Sequence, residues 1–162
     1  MDFVVLATSH FHIGHIPKPA RSDPRSAGEH WLLFLREGIR SGVADIIAHP
    51  VLNLSNALGD MNRIMETLSD AEILEVLEEA RARNVAMDVN PRLFTSPCWS
   101  ADTQVRFYRL CKRAGVRIAP ASDAHQLSQI GDTLKLQPWA ETIGLSNDDF
   151  IDADWLTARR RR

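Results

Sequence analysis

The sequence predicts an α/β fold in which short buried strands alternate with helices and pair in parallel. Three observations carry this. Four short runs, residues 3–8 (FVVLAT), 44–48 (ADIIA), 85–89 (VAMDV) and 116–121 (VRIAPA), are largely aliphatic and β-branched, as strands covered on both faces are. Segments with apolar residues at helical spacing separate the runs. Polar residues able to bind a ligand follow each run. Strands joined by helical crossovers imply a parallel sheet, and sites in such sheets gather at the carboxyl ends of the strands.

The elements follow in order. Residues 3–8 lack a basic leader and read as a strand rather than a signal peptide. Residues 29–41 carry Trp31, Leu32, Phe34, Leu35 and Ile39 at helical spacing and stop at Gly42. The strand at 44–48 ends on His49-Pro50. Ser69 and Glu72 form the sequence of a capping box, and Ile73, Leu74, Val76, Leu77 and Ala80 continue that helix towards Asn84. The strand at 85–89 runs into Asn90-Pro91-Arg92. Ser100-Ala101-Asp102 opens a third helix with Val105, Tyr108 and Leu110, closed by Gly115. The strand at 116–121 ends on Ser122-Asp123-Ala124-His125. A weaker helical pattern at 130–143 contains Pro138, and residues 148–156 read as an acidic helix start with packing aromatics.

Composition bounds the function. The chain has 162 residues, 44% hydrophobic and 25% charged, the mix of one globular domain spanning 1–162. With 19 Lys and Arg against 21 Asp and Glu, the net charge is −2, so there is no broad basic field of the kind that binds nucleic acid. The basic tail, 157–162, holds four of those cations at 159–162 and reads as a solvated end. No apolar run is long enough for a membrane span. Cys98 and Cys111 lack a CxxC spacing and read as ordinary thiols, so the expected compartment is the cytoplasm.

Four of the six histidines, His10, His12, His49 and His125, lie at or near strand ends. Imidazole is the commonest transition-metal ligand, and carboxylate suits harder ions. Asp123 and His125 are two residues apart, so in extended backbone both side chains point to one side. His10, His49, Asp123 and His125 are therefore the candidate metal ligands, with Asp123 and His125 also the candidate catalytic pair. A bound ion lowers the pKa of a coordinated water towards about 7 and neutralises a phosphate ester. His12 and His15 are additional candidates on a loop with Gly14 and Pro17, whereas His30 reads as a solvated or capping histidine at a helix start. Asn90 and Arg92 are candidate substrate contacts, Arg92 for the planar bidentate match of guanidinium to phosphate. Cys98 and Trp99, in the same loop, read as packing residues.

Ser9-His10-Phe11 after a strand, Ala44-Asp45-Ile46-Ile47-Ala48-His49-Pro50, Met87-Asp88-Val89-Asn90, and Ser122-Asp123-Ala124-His125 followed by Ile130-Gly131 resemble the later half of the PHP (polymerase and histidinol phosphatase) superfamily. The resemblance implies part of a distorted (β/α)7 TIM-like barrel, truncated relative to the family, with a multinuclear site of divalent Zn, Mn or Fe at its C-terminal face. Its family's early His-x-His pair and bridging Glu have no clear equivalent here. The function it implies is hydrolysis of a small phosphate monoester, as in histidinol phosphatases. Two other readings stand beside it. One is a non-catalytic fragment or subunit completed by a partner half or a second copy, since an open half-barrel leaves sheet edges to be paired. The other is an amidohydrolase-like enzyme acting on C–N bonds.

Overall fold

The computed structural model describes residues 3–52, 56–96 and 100–160. Strands β1 (Val5–Ala7), β2 (Ile46–Ala48), β3 (Ala86–Val89) and β4 (Ile118–Pro120) form one sheet in that order, parallel throughout. Val5 pairs with Ile46, Ile46 with Ala86, and Met87 with Ile118. The strands are shorter than the apolar runs that predict them. Val85 and Val116 return their N–H groups to Ala80 and Cys111 at the ends of the preceding helices, so those ladders begin later.

The helices are α1 (Pro24–Arg40), α2 (Met61–Glu66), α3 (Asp70–Ala82), α4 (Arg92–Thr95), α5 (Ala101–Ala114), α6 (Gln137–Ile143) and α7 (Ala153–Arg160). Helix α1 starts five residues before the expected Glu29. Asp23 caps it by accepting the Ser26 N–H, and Pro24 stands in the first turn, where a missing N–H costs nothing. The capping box of Ser69 and Glu72 and the left-handed Gly115 that closes α5 are both present. The weak pattern at 130–143 divides into a short 3-10 turn, Leu134–Leu136, and α6, with Pro138 tolerated in its first turn. Helices α2 and α4 are too short to show a helical period in the sequence.

Helices α1, α3 and α5 pack side by side over one face of the sheet. Side chains alternate along a strand, so Ile47, Met87 and Ile118 enter that core while Ile46, Ala86 and Ala119 face the other way. A strand order that never reverses puts crossovers of one hand on one side, which accounts for the single helical layer. The opposite face is met by α7 through Trp155, whose ring stacks on Phe3. Trp31 is buried in the helical core and donates its indole N–H to the Pro50 carbonyl at 2.8 Å, tying α1 to the turn after β2. Arg25 and Arg40 on α1 pair with Glu72 and Glu79 on α3, and Arg106 on α5 pairs with Asp70.

His30 differs from its expected place. It lies inside α1, its Nε2 is 2.9 Å from the Pro17 carbonyl, and its ring meets Phe11 and Phe34. It therefore ties the 11–20 loop to the helix rather than capping it. Among the described residues no helix is long and apolar enough to cross a membrane.

At Gly38, helix α1 lies against the end of the first strand unit, where an added Cβ would meet the Thr8 methyl. Gly38→Ala should therefore destabilise the fold by about 1–3 kcal/mol in urea unfolding. Gly14→Ala, which meets nothing within 4 Å, should be close to neutral in the same measurement.

Candidate functional site

The four strands end at one edge of the sheet, and the loops beyond them enclose a cavity of about 470 Å³. His10, His49, Asn90, Arg92, Asp123 and His125 all line it. Six residues separated in sequence by up to 115 positions thus meet because each follows the carboxyl end of a parallel strand. His12 and His15 are exposed and do not line the cavity, although the His12 ring lies 5.2 Å from that of His10. Cys98 and Trp99 lie outside the described residues.

The His10 and His49 rings stack face to face, with centroids 4.9 Å apart and planes 2° from parallel. Burial lowers the pKa of His10, the neighbouring His12 lowers it further, and Asp123 opposes both. Burial also lowers that of His49, with His10 adding to the effect and Asp123 opposing it. Both imidazoles consequently favour the neutral form, which has a nitrogen lone pair to offer.

His49 and Asp123 have positive φ angles of 31° and 49°. This region is sparsely populated by residues with a Cβ and is held only where the surroundings insist on it. At His49 the surroundings are identifiable. Its backbone N–H donates to the Asp88 carboxylate, and its carbonyl accepts from Leu52 N–H at 2.9 Å and from the Ser9 hydroxyl at 3.1 Å. Ser9 Oγ also lies 3.2 Å from the ring Nδ1. The next residues are fastened by Trp31 to Pro50 and by Gln104 to Val51.

Asp88 is 6% exposed, and burial pushes its carboxyl up to about 7. The charge of Asp123 adds to that rise, while the His49 N–H and the Asn90 amide oppose it. Asn90 is fully buried, and neither its amide nitrogen nor its oxygen has a hydrogen bond of regular geometry. Arg92, half exposed, donates to the Asp123 carbonyl at 3.3 Å, with its guanidinium 3.6 Å from Asp123 Oδ2 and 2.7 Å from His125 Nδ1, a ring nitrogen that also lies 2.8 Å from the Asp123 carbonyl.

Three imidazoles, a carboxylate and a buried unsatisfied amide suit a divalent transition ion in kind. Among the described residues, however, no three His, Cys, Asp or Glu side chains are gathered into a metal-binding group, and His125 is engaged by Arg92. Sequence reading missed Ser9 and Asp88 as parts of the site. The available signal was Asp88 itself, a carboxylate inside an otherwise apolar strand that is buried at every position.

No family model matches the chain. Over 81 residues it is 31% identical to a protein of Clostridium novyi (strain NT) named a probable phosphatase, covering 49% of this chain and 33% of the relative. Over 77 residues it is 31% identical to probable phosphatases of Clostridium botulinum strains Hall and Langeland, covering 48% of this chain and 32% of each relative. The match thus spans about a third of the length of these curated relatives.

The raised Asp88 pKa has a signed consequence. Between about pH 4, where an aspartate in the unfolded chain ionises, and about 7, the folded protein holds a proton that the unfolded chain has released. Stability from this group therefore falls as pH rises through that window. Asp88→Asn keeps an acceptor for the His49 N–H and cannot ionise. Its stability relative to the wild type should increase from about pH 4 to 7 and level off above, as read by urea unfolding across pH.

Proposed function

We propose that the cavity is the site of a metal-dependent phosphoesterase of the PHP type, acting on small phosphate monoesters. The observation that carries the proposal is the meeting of His10, His49, Asp123, His125 and Arg92 in one cavity at the strand ends. The relatives named probable phosphatases support the same class of reaction. Four parallel strands wound in one direction are also what consecutive units of a distorted (β/α)7 barrel present.

Charge balance favours a cation in the reaction. Arg92 is the only Lys or Arg among the described residues lining the cavity, and Asp123 already stands against it. A phosphate monoester brings further negative charge next to Asp123, which one half-exposed guanidinium does not neutralise. His10, His49, Asp123 and His125 are the residues that would hold a divalent ion if their side chains drew together around it, since they line one cavity but are not gathered into a metal-binding group. Such an ion, when bound, supplies charge neutralisation and activation of water.

The chain's own residues have separate tasks. His10 and His49, kept neutral by burial, offer lone pairs. Arg92 provides paired N–H donors to the phosphoryl oxygens, and His125, whose Nδ1 lies 2.8 Å from the Asp123 carbonyl, is held beside it. The buried Asn90 amide supplies a donor and an acceptor without regular partners of their own.

The test is hydrolysis of p-nitrophenyl phosphate by the purified chain with Mn²⁺ or Zn²⁺, alongside an anilide substrate for C–N cleavage. Phosphate release that is abolished by chelation and reduced at least about 100-fold in His49→Ala and Asp123→Ala supports the proposal. Arg92→Ala should raise KM by about tenfold or more, as expected from loss of a charge-assisted phosphate contact. Anilide cleavage in place of phosphate release would contradict the proposal, and so would no turnover with any divalent ion.

A further inference from the structure

Ser9 is fully buried at the end of β1, and its hydroxyl reaches two atoms of His49. A serine hydroxyl has one proton and can donate only once, although its oxygen can accept. The His49 carbonyl can only accept. If Ser9 gave its proton to the ring, its oxygen would stand 3.1 Å from the carbonyl oxygen with no proton between two electron-rich atoms. That repulsion would fall on a fully buried hydroxyl, where water screens it poorly. The arrangement free of conflict runs in one direction, from ring Nδ1–H to Ser9 Oγ and from Ser9 O–H to the His49 carbonyl.

The remaining contacts of His49 make this orientation hard to escape. The backbone is pinned at its N–H by Asp88 and at its carbonyl by Leu52, with φ in the left-handed region. The ring is held flat against His10. A flip of the ring or a change of backbone would break several of these at once. Nε2 makes no hydrogen bond among the described residues, and His49 lines the cavity.

We propose that Ser9 is a positioning residue, fixing the neutral imidazole of His49 as its Nδ1–H tautomer so that Nε2 offers its lone pair. Free histidine favours the opposite tautomer, with the proton on Nε2, which has no electron pair to give at that atom. That backbone-anchored hydroxyl, acting with the hydrogen bond of the ring to its own carbonyl, favours His49 as an electron-pair donor at Nε2 over a proton donor there. The tautomer stands on the hydrogen bonds alone; its consequence for turnover rests on the phosphoesterase reading.

The test is long-range ¹H–¹⁵N NMR of the histidine rings in the full chain at about pH 8, above the ordinary imidazole pKa of ~6.5. In the wild type His49 should show an unprotonated Nε2 and a protonated Nδ1. Ser9→Ala should shift His49 towards Nε2–H while the amide spectrum keeps its native dispersion, and Ser9→Thr, which retains the hydroxyl, should keep the wild-type tautomer. Hydrolysis in Ser9→Ala should fall about 10–100-fold, the usual effect of removing a group that orients a ligating histidine. An Nε2–H ring in the wild type would overturn the proposal without recourse to any variant, and so would a folded Ser9→Ala with its tautomer unchanged. A wild type with the expected tautomer and no turnover would instead refute the phosphoesterase reading and leave the role of Ser9 standing.

Discussion

The carboxylate of Asp88, buried in the third strand, accepts the backbone N–H of His49 at the end of the second, and the shape of the cavity follows from that bond. A buried carboxylate is costly unless its lone pairs are used. Here burial pushes its pKa up to about 7, with the repulsion of Asp123 adding to the rise and the His49 amide and Asn90 side chain opposing it. The cost is offset by geometry. A histidine with φ of 31° would relax elsewhere, and in this protein it is fastened at its N–H, its carbonyl and one ring nitrogen. The left-handed residue, the stacked His10 ring and the free Nε2 all descend from the same local constraint.

The rest of the fold holds this constraint rigid. Helices α1, α3 and α5 form one layer whose buried side chains are continuous with the sheet face at Ile47, Met87 and Ile118. Two of these helices reach directly into the turn after β2: Trp31 of α1 bonds Pro50, and Gln104 of α5 bonds Val51. Tyr108 of α5 donates its hydroxyl to the Asp88 backbone carbonyl, so the same helix also steadies the carboxylate's own residue. The edge that carries the cavity is thus built from residues anchored in the core, while Arg92, half exposed on a four-residue helix, reaches across to Asp123 and His125.

Much of this was legible in the sequence because it depends on local patterns. The four apolar runs marked β1 to β4, and the Ser69–Glu72 capping box and Gly115 marked helix ends, since each is a short-range signal with one physical meaning. The strand-end rule then brought His10, His49, Asn90, Arg92, Asp123 and His125 into one cavity. What escaped was in part a local signal: the start of α1 follows from the Asp23 cap and Pro24, which the apolar spacing does not report. The rest was set by contacts that no helical or strand period links. His30 is held by Pro17 and two phenylalanine rings rather than by its place in a helix. Ser9 and Asp88 act on His49 across 40 and 39 positions, and no spacing rule links residues in three different strand units.

Under the proposed function, the strand-end cavity is where this chain would meet phosphate, with His49 oriented by Ser9 and Asp88. The most direct measurement is a titration of the ¹⁵N-labelled protein with inorganic phosphate in the presence of Zn²⁺, following backbone amides and ring nitrogens. Saturable changes should centre on Ser9, His10, His49, Asn90, Arg92 and the Asp123–His125 segment, with α3 and α7 unaffected. Changes confined to another surface, or none at these residues at saturating phosphate, would contradict it.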